Sequence, residues 1–306
     1  MNNCSTIFVA GNDTFIGSAV LGALKKDGYL NIYGDEGKNL RDLSQVDKLF
    51  RARNPEIVFL TAGKTGGIAA NMKYPADLMF DNLIITCNII ECAHRHNVKK
   101  LLYLASSCSY PRDCVQPMTE TSLLTGPLEP TNEAYAVAKI AGIKLSHAYR
   151  CQYGSNFIVG IPANAFGPCD DFSEEDSHVV AALIRKMHEA KVTNRKQVEV
   201  WGTGNPRREF IFIDDLADAC LFIMNNYDEP EPINLGSGTA FSIRDLAETI
   251  REVVGFNGSI VYETSKPDGM PIKSLDNSKI RDLGWRPHVS LKEGLTITYE
   301  WYRKVG

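Results

Sequence analysis

The sequence predicts an α/β protein built on a doubly wound parallel sheet, with a smaller α/β lobe towards the C-terminus. Short apolar runs alternate with helical patterns through the first half of the 306 residues. These runs are continuous in hydrophobicity, which is typical of strands buried on both faces of a parallel sheet. After about residue 162 the alternation gives way to an acidic loop, short strands and further helices.

The predicted strands of the first half are at 5–10, 31–33, 56–62, 100–106 and 156–162. Helical stretches separate them, for example 44–53, where Ser44 and Asp47 have the spacing of a capping box. Repetition of strand and helix in this order is typical of a doubly wound domain.

The second half has a different pattern. The acidic loop at 167–178 leads into a helix at about 178–191, and 198–224 contains short strands around a turn and another helix. A further helix over 242–255 begins with Ser242 as its N-cap and has Asp245 at the capping-box position. Neither a repeat nor a low-complexity linker divides the chain, so we expect two packed lobes with a cleft between them.

Composition narrows the class of protein. Hydrophobic residues make up 44% of the chain and charged residues 23%, as in ordinary globular proteins. The net charge is −4 and no basic stripe is present, so we expect no nucleic acid as a partner. No apolar run approaches the roughly 20 residues that span a bilayer. Because the start "MNNCSTIFVAG" also lacks a signal-peptide layout, we expect a cytoplasmic protein without membrane contact.

The 8 cysteines are scattered along the chain, and no Cys pair or Cys/His cluster has metal-ligand spacing. In a chain of this size the pattern fits reduced thiols better than a disulfide framework. We therefore expect neither a disulfide nor a metal site.

A glycine turn near the N-terminus predicts a nucleotide site. In "VAGNDTFIGSAV" (9–20), Gly11 directly follows the first predicted strand, Gly17 opens the next helix, and Thr14 lies between them. Such a turn brings backbone N–H groups and a helix N-terminus to a pyrophosphate, as in Rossmann-type domains. An ordinary strand-to-helix turn would also account for these glycines, but the context after a first strand favours the nucleotide.

Two aspartates indicate which dinucleotide binds there. Asp35 falls where the second strand should end, and a carboxylate at that distance from the glycine turn accepts hydrogen bonds from the adenosine ribose. With Asp13 inside the turn, it would repel a 2′-phosphate, which favours NAD(H). The alternative is that both are solvated loop aspartates.

The stretch "EPTNEAYAVAKIAG" (129–142) places Tyr135 and Lys139 one helical turn apart on one face. A surface tyrosine beside a lysine would explain the pair, but Ser106 also lies at the end of a predicted strand about thirty residues earlier. This Ser and the Y-x-x-x-K pattern resemble the short-chain dehydrogenase/reductase family. In that chemistry the lysine cation favours the phenolate of Tyr135, and Ser106 hydrogen-bonds the carbonyl that Tyr135 protonates.

Longer motifs narrow the resemblance. They are "ASSCSYP" (105–111), "EPTNEAYAVAKIAG" (129–142), "SHVVAALIRKMHEA" (177–190), "VEVWGTGNPRREFIFIDD" (198–215) and "SKPDGMP" (265–271). Together they resemble the GDP-L-fucose synthase family of extended short-chain reductases, from about residue 7 to about 303. The resemblance implies 3,5-epimerisation and 4-ketoreduction of a GDP-4-keto-6-deoxy-mannose-type sugar, giving GDP-L-fucose. It also implies a homodimer formed through helices around 75–96 and 132–153.

The resemblance also implies roles for individual residues and a division of the chain. The implied catalytic residues are Ser106, Cys108, Tyr135, Lys139 and His178, with Cys108 and His178 as the acid/base pair of epimerisation. The implied cofactor contacts are Gly11, Asn12, Asp13, Thr14, Phe15, Ile16, Gly17, Asp35, Leu104, Ala105, Ser106, Lys139, Pro162, Ala163, Asn164, Ala165 and His178. The implied substrate contacts are Lys186, Trp201, Arg208 and Asp268. The expected domains are a dinucleotide-binding domain of 1–163 with about 209–236 and a sugar-nucleotide lobe of 164–208 with 237–306.

The sequence departs from the family pattern in one respect and is compatible with several alternative functions. The family usually uses NADPH and has arginines near its 2′-phosphate, where this chain has Asp13 and Asp35, so NADH is predicted to work at least as well. The substrate could instead be another GDP-4-keto sugar, such as a heptose or a colitose precursor. A non-catalytic NAD-binding sensor of the same fold is a further alternative. A dehydratase is not favoured, because the segment 107–109 has no carboxylate.

Overall fold

The protein is described by a computed structural model that covers residues 1–174, 176–266 and 268–305. Glu175 of the predicted acidic loop, Pro267 of the "SKPDGMP" motif and the terminal Gly306 lie outside the described residues. Elsewhere the helices and strands follow the order that the sequence predicts.

The strands are β1 Ile7–Ala10, β2 Ile32–Tyr33, β3 Ile57–Leu60, β4 Lys100–Leu104, β5 Phe157–Pro162, β6 Asn164–Phe166, β7 Gln197–Trp201, β8 Arg207–Phe212, β9 Ile233–Leu235, β10 Ala240–Ser242, β11 Ser259–Glu263 and β12 Ile272–Lys273. The helices are α1 Phe15–Lys26, α2 Leu43–Arg53, α3 Ile68–Lys73, α4 Pro75–Arg95, α5 Glu133–Tyr153, α6 Val179–Val192, α7 Ile213–Asn226, α8 Ile243–Val254, α9 Ser278–Asp282 and α10 Leu291–Val305. All five strands predicted in the first half are present, shortened by a few residues at their ends.

The central sheet has the strand order β2-β1-β3-β4-β5-β9, and every neighbouring pair is parallel. Each residue of β1, β3, β4 and β5 is buried, which explains why these runs are continuously apolar. Helix α1 packs against α7, and α4 packs against α5 and α2, so helices cover both faces. The prediction of a doubly wound α/β fold is therefore confirmed.

The order of the strands determines where a ligand can bind. The chain moves outward from β1 to β2 and then returns to β3 on the other side of β1. At such a reversal the loops leaving the carboxyl ends of the strands diverge and open a crevice. The glycine turn follows β1, Ser106 follows β4, and Asn164 follows β5, so all three lie at this edge.

A second group of strands lies outside the central sheet. β8 pairs with β10, β12 and β6, and β7 pairs with β11. β8 crosses the expected division at 208/209, whereas β9 joins the central sheet. The exact division of the chain into two lobes remains a prediction. In the described part of the chain, no helix combines the length and apolar character that crossing a bilayer requires.

Of the two predicted helix caps, the one at α8 is confirmed and the one at α2 is not. Ser242 caps α8 as predicted, because its hydroxyl accepts a hydrogen bond from Asp245 N at 2.9 Å. The prediction for α2 is wrong, since Asp42 caps this helix and accepts from Ser44 N at 2.9 Å. Because Asp42 satisfies the N–H groups of Ser44 and Gln45, the helix begins at Leu43, before the predicted cap.

The carboxylate of Glu209, on β8, holds the segment after β12 in place. It is 1% exposed and accepts hydrogen bonds from Leu275 N at 2.6 Å, Gly238 N at 2.7 Å and Asn277 Nδ2 at 2.9 Å. Hydrogen bonds to a charged acceptor are stronger than neutral ones, and a buried partner left unpaired is costly. Glu209 thus connects β8 to the residues that immediately follow β12.

Glu209→Gln should lower the free energy of unfolding by roughly 2–4 kcal/mol, because the amide cannot accept from all of these donors. Urea denaturation followed by circular dichroism measures the change. Glu248→Gln, which removes one side of a surface pair with Arg251 at 2.7 Å, is the matched control. It should change stability by less than about 0.5 kcal/mol. Equal effects of the two substitutions would contradict the role given to Glu209.

Candidate active site

The glycine turn closes tightly around the N-terminus of α1. Gly11 has a φ of +82°, and a Cβ at Gly17 would lie 1.9 Å from the Gly11 carbonyl oxygen. Thr14 caps the helix, since its hydroxyl accepts from Gly17 N at 3.1 Å and donates to Gly11 O at 2.7 Å. Phe15 and Ile16 then begin α1. This arrangement presents a helix N-terminus at the carboxyl edge of the sheet, which suits a pyrophosphate.

Asp35, just after β2, is bound to the same turn. Gly11 N donates to both of its carboxylate oxygens, at 2.9 and 3.1 Å, and Asp35 N donates to Asn12 Oδ1 at 2.7 Å. Burial raises the pKa of Asp35 to about 6. The hydrogen bond from Gly11 N lowers this pKa, and the charge of Asp13 raises it by a smaller amount. The carboxylate of Asp35 therefore lies next to the glycine turn, where it was predicted to bind the adenosine ribose.

Ser106, Tyr135 and Lys139 meet between the end of β4 and the first turns of α5. Ser106 lies close enough to the phenol of Tyr135 to act on its pKa. Lys139 is buried, donates to Leu104 O at 3.1 Å, and has Nζ 5.7 Å from the centre of the Tyr135 ring. The helical spacing thus brings the two side chains to one face, as the sequence predicts.

The protonation of this group differs from the expectation. Burial raises the pKa of Tyr135 well above its ordinary value, with a further rise from Cys108, so no phenolate is favoured. Burial also lowers the pKa of Lys139 to about 8. The reason is that both groups are desolvated together, which disfavours both charged forms. The phenol is consequently held as a proton donor.

Cys108 lies beside this group, in a short 3-10 turn that Ser106 caps by accepting from Cys108 N at 3.2 Å. Its thiol receives hydrogen bonds from Lys273 Nζ at 3.2 Å and from Asn132 Nδ2 at 3.1 Å. Burial by itself would raise the pKa of Cys108, but the charge of Lys273, hydrogen bonds from Ser106 and Lys273, and the charge of Arg208 outweigh it. The net pKa is lowered.

His178 immediately precedes α6 as its N-cap residue, makes no capping hydrogen bond with its side chain, and is exposed. Desolvation in the cleft lowers its pKa, and the charge of Lys273 lowers it further, while Asp171 acts in the opposite direction. The charge of Lys273 therefore lowers the pKa of both Cys108 and His178.

The predicted substrate residues lie along the second lobe. Trp201 is 49% exposed, and Lys186 Nζ lies 5.9 Å from its ring centre and donates to Glu199 O at 3.2 Å. Arg208 is half-buried and close enough to Cys108 for their charges to interact. The neighbouring Arg207 is exposed and donates to Ala240 O at 2.6 Å, so the two arginines point in different directions.

Asp268, which is predicted to accept hydrogen bonds from sugar hydroxyls, is hydrogen-bonded within the chain. Its Oδ1 accepts from Thr203 N at 2.7 Å and its Oδ2 accepts from Thr203 Oγ1 at 2.8 Å. Its carbonyl oxygen accepts from Arg208 Nη2 at 3.3 Å. Asp268 thus fixes the turn after β7 and orients Arg208.

The remaining predicted cofactor contacts follow the strand ends. Leu104 ends β4 and Ala105 follows it; Pro162, Ala163, Asn164 and Ala165 lie at the junction of β5 and β6. Asn164 Nδ2 donates to Glu209 O at 3.0 Å, which joins the central sheet to β8.

Two contacts of the thiol were not identified from the sequence. Asn132 lies inside a quoted motif, so its polar side chain near Tyr135 was a usable signal. Lys273 is separated from Cys108 by 165 residues and carries no local pattern that would indicate a site. Only the pairing of β12 with β8 brings it there.

Comparisons with known proteins agree with this geometry. The model of the NAD dependent epimerase/dehydratase family matches residues 7–236. A protein of Arabidopsis thaliana named GDP-L-fucose synthase 1 is 50% identical over 301 residues, covering 97% of this chain and 93% of that protein.

Two solved structures are similar over nearly their whole length. A GDP-6-OMe-4-keto-L-xylo-heptose reductase from Campylobacter jejuni has a TM-score of 0.96 at 35% identity, covering 100% of this chain and 99% of that one. A GDP-L-fucose synthetase from Naegleria fowleri bound to NADP has a TM-score of 0.90 at 30% identity, covering 99% and 94%.

Gly17→Ala should weaken NADH binding at least tenfold, because its methyl group would lie 1.9 Å from the backbone oxygen of Gly11 and push the turn open. Titration of NADH fluorescence measures the affinity. Gly22→Ala, in the same helix, is the control, since nothing lies within 4 Å of its added Cβ. This control should bind NADH normally and gain up to about 1 kcal/mol of stability. Wild-type affinity in Gly17→Ala would argue against a nucleotide at this turn.

Proposed function

Because the chain belongs to the NAD dependent epimerase/dehydratase family, we propose that it is a bifunctional GDP-sugar 3,5-epimerase and 4-ketoreductase. Its substrate is a GDP-4-keto-6-deoxy-mannose-type nucleotide sugar and its product is GDP-L-fucose. The observation that carries the proposal is a thiol with a lowered pKa, that of Cys108, next to Ser106, Tyr135 and Lys139. A simple ketoreductase needs only the last three residues. The relative from Arabidopsis thaliana, named for this activity, supports the same function.

The coenzyme is NAD(P)H, and when bound it supplies the hydride that reduces C4. The turn after β1 suits its pyrophosphate, and Lys139, on α5 with its Nζ at the end of β4, would hold the nicotinamide ribose. Asp35 is placed for the adenosine ribose, because its carboxylate is fixed by Gly11 N and remains half-buried.

Epimerisation requires one group that removes a proton and another that returns one. The C4 ketone acidifies the hydrogens on C3 and C5, and loss of either proton gives an enolate. Cys108 and His178 can exchange such protons near neutral pH from different sides of the sugar. Cys108 suits the role of base, because Lys273 and Asn132 both donate to its sulfur.

Reduction uses the adjoining donors. Ser106 and Tyr135 are placed to hydrogen-bond the C4 oxygen, and Tyr135 transfers its phenolic proton to that oxygen as hydride reaches the carbon. The raised pKa of Tyr135, caused by burial, keeps this proton in place until negative charge develops on the substrate. A neutral donor in a desolvated cleft suits this step.

The GDP moiety extends along the second lobe. Lys186 and Arg208 provide positive charge for the diphosphate, and the exposed face of Trp201 provides an apolar wall. Asp268 contributes indirectly, by holding the Thr203 turn and Arg208.

A second candidate differs only in the sugar. The similarity to the heptose reductase of Campylobacter jejuni, at a TM-score of 0.96, favours a GDP-4-keto heptose as an alternative substrate. Incubation of the protein with GDP-4-keto-6-deoxy-mannose and NADH, with the product identified by NMR, separates the two. GDP-L-fucose as product supports the first proposal. Reduction without inversion at C3 and C5 supports the second, and absence of NADH oxidation supports a sensor.

The proposed assembly is a homodimer in the cytoplasm. Helices α4 and α5 pack against each other, and Phe80 on α4 and Tyr153 on α5 leave 57% and 52% of their surfaces exposed. Large apolar side chains at the surface of long paired helices suit a second copy of the chain. All eight cysteines are free, which fits a reducing compartment.

The two half-reactions should be separable by substitution. Tyr135→Phe should lower the rate of NADH oxidation at least 100-fold, since it removes the proton donor, while exchange of C3 and C5 hydrogens with solvent deuterium continues. Cys108→Ser should reverse this pattern and suppress deuterium incorporation. NMR measures incorporation and absorbance of reduced nicotinamide measures reduction. Unchanged deuterium incorporation in Cys108→Ser would refute the role of Cys108.

NADH should give a kcat/KM at least equal to that of NADPH, because Asp35 and Asp13 repel a 2′-phosphate. Asp35→Ser should shift the NADPH/NADH ratio about tenfold towards NADPH by removing one of these charges. Asp27→Ser, at the opposite end of α1, is a control that should leave the ratio unchanged. A strong preference of the unmodified protein for NADPH would be the contradicting result.

A further inference from the structure

We propose that Lys273 is the counter-ion of an anionic Cys108 and thereby a positioning residue for proton exchange at C3 and C5. The inference rests on the proposed function, in which Cys108 exchanges one of these protons. It adds a residue that lies in the last part of the chain and outside the family motifs that predicted the site.

The contact itself is direct. Lys273 Nζ lies 3.2 Å from Cys108 Sγ, and the Lys273 side chain is only 9% exposed. Within residues 1–174, 176–266 and 268–305, no carboxylate lies within 4.0 Å of Lys273 Nζ. A buried ammonium is strongly destabilising unless an anion accompanies it. The group that the structure places beside it is the sulfur of Cys108, which as a thiolate supplies that anion.

Strand pairing explains how the lysine reaches this position. β12 runs parallel to β8, and Lys273 is the register partner of Arg208. The two cations thus enter the cleft side by side from neighbouring strands. Arg208 donates to the carbonyl oxygens of Arg207 and Asp268, whereas Lys273 donates to the sulfur. The ammonium is therefore the cation dedicated to Cys108.

The other ionisable groups around the thiol do not replace Lys273. Arg208 acts on Cys108 from β8, and Tyr135 and Lys139 interact with it from α5. At the start of α6, the pKa of His178 is lowered by the charge of Lys273. Tyr135 is neutral, and Lys139 donates to the Leu104 carbonyl rather than to the sulfur. Asn132 contributes a neutral N–H at 3.1 Å.

The arrangement has a distinctive electrostatic consequence. A single positive charge near both exchange groups favours the unprotonated form of each, so it lowers the pKa of Cys108 and of His178 together. Removal of that charge should raise both pKa values. A residue with only a structural role would lower activity at every pH without this coordinated shift.

Lys273→Met tests the proposal through the thiol itself. Ultraviolet absorbance of the thiolate is titrated against pH, and the Cys108→Ser signal in the same background is subtracted. The midpoint for Cys108 should rise by about one pH unit or more in Lys273→Met, and Lys273→Arg should restore most of the difference. Lys191→Met is the control, because this exposed lysine donates to Val254 O at 2.7 Å, in the last turn of α6 and away from Cys108.

A second readout follows the reaction. In Lys273→Met, both limbs of the pH profile for solvent deuterium incorporation should move to higher pH. An unchanged thiol midpoint in Lys273→Met would overturn the proposal. If this variant does not fold, the unmodified protein still tests it, because a Cys108 midpoint at or above the ordinary thiol value of about 8.5 would overturn it equally.

The thiol titration also distinguishes the two proposals. A midpoint that rises in Lys273→Met supports the counter-ion whether or not the enzyme turns over a given sugar. If deuterium incorporation nevertheless persists in Cys108→Ser, the counter-ion stands and the proposed role of Cys108 in epimerisation fails.

Discussion

The candidate site depends on one buried carboxylate, that of Glu209. It lies on β8 and accepts hydrogen bonds from the segment that directly follows β12, so it fixes a two-residue strand that could not persist alone. That strand aligns Lys273 with Arg208 and directs both towards the thiol at the end of β4. The backbone carbonyl oxygen of Glu209 also accepts a hydrogen bond from Asn164 Nδ2, which connects the central sheet to the same strand.

Burial has opposite results for neighbouring groups in the cleft. Tyr135 and Lys139 are desolvated together, and both are moved towards their neutral forms. Cys108 lies beside them but receives two N–H donors and a nearby guanidinium, so its pKa is moved the other way. Tyr135, a neutral proton donor, can therefore lie close to Cys108, whose surroundings stabilise its thiolate. This contrast is what a site that both reduces and epimerises requires.

Local sequence patterns were sufficient to predict the features that depend on neighbouring residues alone. Continuous apolar runs gave the central strands, the glycine spacing gave the turn before α1, and helical spacing placed Tyr135 with Lys139. Two features depended on competition or tertiary packing and were not predicted correctly. Asp42 displaced Ser44 as a cap because two suitable side chains lay within one turn. The state of Tyr135 depended on how deeply the cleft buries it, which no four-residue spacing encodes.

The shortness of β12 bears on how such enzymes diverge. Ser106, Tyr135 and Lys139 come from the first half of the chain and rest on the central sheet, whereas Lys273 enters on Ile272–Lys273 from a separate sheet. If Lys273 has the proposed role, a change confined to this dipeptide retunes one half-reaction and leaves Ser106, Tyr135 and Lys139 untouched. Loss or gain of stereochemical inversion in a lineage would then require very little alteration of the scaffold, and the two chemistries could be selected independently.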